Sequence, residues 1–209
     1  MTQTTIIPDA IAEAARWHLL ALLLERPRPG WDLEIRSIAR EVPDILLRSV
    51  ADAADGATEG EYLHLLGPGG RVAAREVGHA VMRDPGWILA DLARYYDAFG
   101  YAPRAEDPLD HVAVEVGFVA YLHLKEALAR SGHDEDTASI TREARDGFLR
   151  EHLAPFAVSL ARKLGPDEAG HLAGAADLLA ARVPVVDPIP PFESEIDPLA
   201  NGCGACADE

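Results

Sequence analysis

The segment that most constrains the fold runs from Asp110 to about Ala129, where apolar residues fall nearly all round a helix. A helix without a polar face must be surrounded by other elements, so this one belongs at the centre of a bundle. Pro108 fixes φ where the chain turns into it, Asp110 is the expected N-cap, and His111 follows in the first helical turn. Polar groups are thereby gathered at one mouth of an apolar element, which suits a ligand with a charged head and an apolar body. Glu115 falls inside the apolar run and requires a partner there.

Helix signals repeat on both sides of this segment. Pro8-Asp9 is the expected start of a helix carrying Ile11, Ala14, Trp17, Leu22 and Leu24, which ends at Arg26-Pro27-Arg28-Pro29-Gly30. Ile35, Ile38, Ala39 and Val42 form a second stripe, and Pro43 separates it from a helix over Ile45 to Ala54. A short helix from Glu61 to Leu66 meets Gly67-Pro68-Gly69-Gly70, and Asp84-Pro85 opens another that Gly100 closes. Beyond the central helix, Thr137 to Leu164 reads as helical with Pro155 dividing it, and Gly165-Pro166-Asp167 starts a last helix ending near Val183. The expected architecture is all-α: one globular helical domain over residues 1–183 and a Pro-rich, acidic tail over 184–209.

Composition narrows the function. Aromatic residues are 6% and β-branched alternation is scarce, which agrees with helices. A net charge of -16 excludes a phosphate-binding surface and so nucleic acid, while suiting a basic partner. The apolar run Leu19 to Leu24 is far shorter than a membrane span and lacks a basic segment before it, so a cytoplasmic protein without stable membrane insertion is expected. No nucleophile elbow, Walker loop or dinucleotide fingerprint is present.

Two metal readings stand beside this one. Glu61/His64, Glu76/His79 and Glu168/His171 have the Glu-x-x-His spacing of di-iron or di-manganese bundles, an alternative function for the chain. The first pair sits on a short helix, however, and Glu168 is explained by the dipole of the helix it opens. Cys203 and Cys206 have ligand spacing, but zinc takes four ligands and the tail supplies two. Neither a resident metal nor a cofactor is expected.

Three motifs carry a family resemblance. Pro108-Leu109-Asp110-His111, followed by Val114-Glu115-Val116-Gly117-Phe118 and Tyr121-Leu122, resembles a Pro-x-Asp-His signature. Glu61-Tyr62 with Leu65-Leu66 and Pro68 resembles a Glu-Tyr-x-x-Leu-Phe-x-Pro segment, and Phe148 with His152-Leu153 and Pro155-Phe156 a Phe-x-x-x-His-Leu-x-Pro-Trp segment. In order and spacing these resemble the TorD/DmsD/NarJ family of cytoplasmic chaperones that mature molybdenum-cofactor oxidoreductases. The resemblance covers about residues 10–182. It implies an all-helical, non-catalytic protein that binds the twin-arginine signal peptide or N-terminus of an oxidoreductase precursor. The apoenzyme would be held until cofactor insertion, before export or assembly. It further implies a peptide site at Asp110, His111 and Pro108 with Tyr62, Leu65 and Leu66 nearby, and a monomer or domain-swapped dimer. Glu115 joins that site as a second carboxylate near the corner. Leu66 stands where relatives have an aromatic residue, and Arg75-Glu76-Val77-Gly78-His79 replaces an aromatic stretch, which implies a reshaped groove. A helical adaptor without leader specificity is the remaining alternative.

Overall fold

The computed structural model describes residues 3–80, 83–104, 107–165 and 170–185. Within them the helices are α1 Gln3–Leu23, α2 Trp31–Glu41, α3 Ile45–Ala53, α4 Glu59–Leu66, α5 Pro85–Phe99, α6 Val112–Ser131, α7 Glu135–Phe148, α8 Ala154–Leu164 and α9 Gly170–Arg182. No strand occurs among the described residues; one isolated bridge joins Arg75 to His111. The fold is all-α.

The central helix is α6, packed along its length against α1 and flanked by α7. Val112, Val116, Phe118, Val119 and Leu122 are fully buried, as are Leu19, Leu20, Leu22, Leu23 and Leu24 of α1 and the residue after it. Near its C-terminal end α6 regains an exposed face at Leu124 and Leu128. Phe118 anchors an aromatic cluster, with Tyr96 and Phe148 each 4.9 Å away in edge-on contact. On the outside, α3, α8 and α9 pack together.

Local chemistry sets most helix ends. Asp84 caps α5 by accepting from the Trp87 N–H at 2.8 Å with Pro85 in the first turn, and Gly100 closes it at φ 69°. Thr58 and Glu61 form a reciprocal capping box on α4.

Three boundaries differ from expectation. First, α1 begins at Gln3, ahead of Pro8. Second, Pro155 divides the long helix without breaking it: α7 runs through a π turn, Leu149–Leu153, into α8. The widened turn accommodates the ring and the missing N–H of Pro155, which an unbroken α-helix would not. Third, His111, not Asp110, caps α6; its side chain accepts from the Ala113 N–H. Asp110 is held one residue outside the helix by bonds to another segment.

Candidate functional site

A cleft of about 750 Å³ opens between the C-terminal end of α4, the strap formed by residues 71–78 and the turn before α6. Its size is that of a ligand pocket. The walls are largely apolar, from Tyr62, Leu66, Val72, Ala74, Val77, Pro108 and Ala113, whereas the rim is charged, from Glu25, Arg26, Arg28, Arg75, Arg104 and Asp107. The turn after α4 can hug the helix because Gly70 lies where a Cβ would stand 2.7 Å from the Leu65 carbonyl oxygen.

Backbone bonds stitch the strap to the corner before α6. The Glu76 N–H donates to the Asp110 carbonyl at 2.8 Å and the Val112 N–H to the Ala74 carbonyl at 2.9 Å. Asp110 itself is fully buried, and its carboxylate accepts from Arg75 Nε at 2.7 Å and from the Val77 N–H at 3.3 Å. This carboxylate therefore holds the half-exposed guanidinium of Arg75 and locks the cleft wall.

His111 stands at the cleft itself. Its Nδ1 accepts from the Ala113 N–H at 3.2 Å, so in the neutral ring the proton belongs on Nε2. Nε2 lies 2.8 Å from Tyr62 Oη and donates to it, which leaves the Tyr62 hydroxyl proton free for an occupant of the cleft. Burial lowers the pKa of His111, against the pull of Asp107 and Asp110, and favours this neutral tautomer. Burial, chiefly, raises Tyr62 and keeps it a donor.

The structure thus brings Tyr62, Leu66, Pro108 and His111 together on the cleft wall, whereas Leu65, Asp110 and Glu115 stand behind it. Glu115 is fully buried and neither of its carboxylate oxygens has a hydrogen-bond partner. Burial, then the neighbouring Glu76 and Asp110, raise its pKa well above the usual carboxylate range; Arg83 opposes them. The sequence reading missed Glu25, Arg28, Arg104 and Asp107. Of these only Asp107, next to Pro108, adjoins a motif; the others reach the rim through tertiary packing.

A second polar cluster anchors the strap from beneath. His152, in the π turn and fully buried, bonds Glu76 through Nδ1 and Asp91 through Nε2, each at 3.0 Å. Arg83 donates to the other oxygen of Glu76 at 2.9 Å. Glu76 is therefore paired with His152, while His79 bonds Ser159 and the Ala73 carbonyl. The Glu-x-x-His pairs do not converge on a two-metal centre among the described residues. The group there with metal-type side chains close together, Asp91, Glu151 and His152, uses none of those pairs. Glu168, Cys203, Cys206 and the tail from residue 186 lie outside the described residues.

The profile of the nitrate reductase delta subunit family matches residues 46–162, more than half of the chain. The chain belongs to that family. Membership places it among the maturation chaperones of molybdoenzymes, with an oxidoreductase as partner, in agreement with the motif resemblance. The match includes the α4 end, the strap and the corner before α6, so most of the cleft lies within it. No curated protein and no solved structure matches the chain. No helix among the described residues is long and apolar enough to cross a membrane.

Proposed function

We propose that the cleft receives an extended segment of a molybdenum-cofactor oxidoreductase precursor, its signal peptide or N-terminus. In the cytoplasm the protein holds that apoenzyme until the cofactor is inserted, without catalysing a reaction itself. The observation that carries this reading is the cleft: an apolar trough with polar groups at its mouth, most of it built from residues within the family match. Tyr62, oriented by His111, offers its hydroxyl proton to a peptide carbonyl, and Leu66, Val72 and Val77 offer apolar contact to its side chains. A strongly negative molecule draws in a basic leader and speeds the encounter.

Calorimetry with synthetic N-terminal peptides of molybdenum-cofactor oxidoreductases tests this directly. One of them is expected to bind, and His111→Ala and Leu66→Ala, each confirmed folded by its melting curve, to weaken that binding about tenfold, the worth of a hydrogen bond or a filled apolar pocket. Undiminished affinity in both variants would move the site away from the cleft.

A further inference from the structure

Behind the strap, and outside the lining of the cleft, lies a group of side chains that peptide binding does not use. Asp91 of α5 and Glu151 and His152 of the π turn each bring a ligand-type atom within 4.8 Å of the other two. His152 is fully buried and Asp91 is 6% exposed, whereas Glu151 stands in solvent. Single π turns recur at functional sites, and this one carries two of the three residues. Arg83 donates to the Glu151 carbonyl at 3.0 Å and so fixes the backbone there.

A neutral imidazole carries one N–H, yet both ring nitrogens of His152 face carboxylate oxygens, Nδ1 that of Glu76 and Nε2 that of Asp91, each at 3.0 Å. Glu76 lies outside the group of three, and its other oxygen accepts from Arg83 at 2.9 Å, so it is oriented to take the Nδ1 proton. The Nε2 lone pair then points at Asp91 Oδ2, a contact between two acceptors that a cation has to bridge, either a second proton or a metal ion. A carboxylate on the far N–H of an imidazole is the arrangement that orients a metal-binding histidine. At 3.0 Å, Nε2 and Oδ2 already have the spacing of two atoms bound about 2.1 Å from one ion. Arg94, its side chain 75% exposed, occupies the other oxygen of Asp91 and leaves Oδ2 to the site. Glu151 receives the Tyr95 hydroxyl at a long 3.5 Å and has only to turn inward.

We propose that Asp91, Glu151 and His152 form a binding site for one divalent transition-metal ion, with Zn²⁺ the best fit to the donors. One imidazole nitrogen and two carboxylate oxygens, without thiolate, suit zinc and its first-row neighbours, whereas Mg²⁺ and Ca²⁺ take oxygen ligands. A second proton on His152 would serve Asp91 but give Glu151 no part, and a metal ion engages all three. Three protein ligands leave a further position to water on the solvent side, where Glu151 stands. Through His152 and Glu76 the ion stiffens the strap from behind without touching the lining of the cleft. Spacing in the sequence could not reveal such a site, because His152 meets Asp91 across 61 residues.

The test uses the full-length chain carrying Cys203→Ser and Cys206→Ser, so that the tail thiols take up no metal, with zinc chloride as probe and magnesium chloride as control. Calorimetry is expected to show one zinc ion bound per chain. The melting temperature should rise by roughly 5–10 °C when zinc is at about a hundred times its dissociation constant, and magnesium should do neither. Glu151→Gln, at an exposed position, should melt with that parent in the absence of zinc, bind zinc about tenfold more weakly or worse, and lose most of the rise. Asp91→Asn should lose zinc binding as well, whatever its own melting temperature. Zinc bound without a rise in melting, or bound equally by the parent and Glu151→Gln, is an adventitious ion only and overturns the proposal. No zinc binding at all also overturns it, and leaves His152 doubly protonated between Glu76 and Asp91.

Discussion

Replacing Glu115 with glutamine should make the protein progressively more stable than its parent as the pH rises. Glu115 is sealed in α6 with both oxygens unpartnered, and burial together with Glu76 and Asp110 raises its pKa in the fold. In the unfolded chain the same carboxyl titrates near 4.5. Between those two values the folded state holds a proton that the unfolded state has released. The parent's stability from this group is complete below the unfolded value and is lost as pH rises toward the folded one. The loss is up to about 1.4 kcal/mol per pH unit. Glutamine has the same shape and no proton to give up, so the variant lacks that slope. For a chain of this size about 1 kcal/mol moves the melting temperature by roughly 2–4 °C, so the two curves should diverge by roughly 3–6 °C per pH unit. Melting followed by far-UV circular dichroism at a series of pH values from about 5 to about 8 measures this without needing the absolute stabilities. Glu115→Leu should show the same change of slope with a different offset, set by packing. Parallel curves for parent and glutamine variant would refute the argument, because they would mean that Glu115 titrates alike in both states and has a partner.

Asp110→Ala should lower stability by about 1–3 kcal/mol, since it frees the Val77 N–H and Arg75 and unlocks the strap; urea unfolding would read it, and a neutral result would mean the strap is held by its backbone bonds alone. His152→Ala should cost about 2–4 kcal/mol, because Glu76 and Asp91 each lose a buried hydrogen-bond partner while keeping Arg83 and Arg94, and chemical denaturation with limited proteolysis of the strap would detect it. Burial, with Arg145 adding to it, pushes His123 down to about 3. The folded state therefore binds fewer protons than the unfolded one below the ordinary histidine value of 6.5, so stability falls as pH drops from there. His123→Phe, which keeps the stacking on Trp17, should flatten the acid limb of the melting-temperature profile, and an unchanged limb would assign acid sensitivity to other groups.

Much of the fold was legible because its signals are local. The Asp84-Pro85 cap, the Gly100 stop and the apolar circumference of α6 each depend on residues within a few positions of one another, so helix type and the burial of α6 followed from spacing alone. The motif around Pro108-Leu109-Asp110-His111 likewise identified the family that the profile match establishes. The roles inside that motif were not legible. Asp110 and His111 are adjacent, yet one is claimed by Arg75, 35 residues away, and the other by Tyr62, 49 residues away, so that His111 is both the cap and the side chain at the cleft while Asp110 is neither. His152 meets Glu76 and Asp91 across 76 and 61 residues, and the spacing that paired Glu76 with His79 is overridden by that contact. Periodicity and capping are decided within a turn or two of chain, whereas charge pairing is decided by which helices lie side by side after the core has packed. The sequence by itself therefore determined that the chain is a helical bundle with a polar mouth on its central helix. Only the tertiary structure decided which carboxylates are consumed in holding that mouth together and that His111, not Asp110, stands at the cleft.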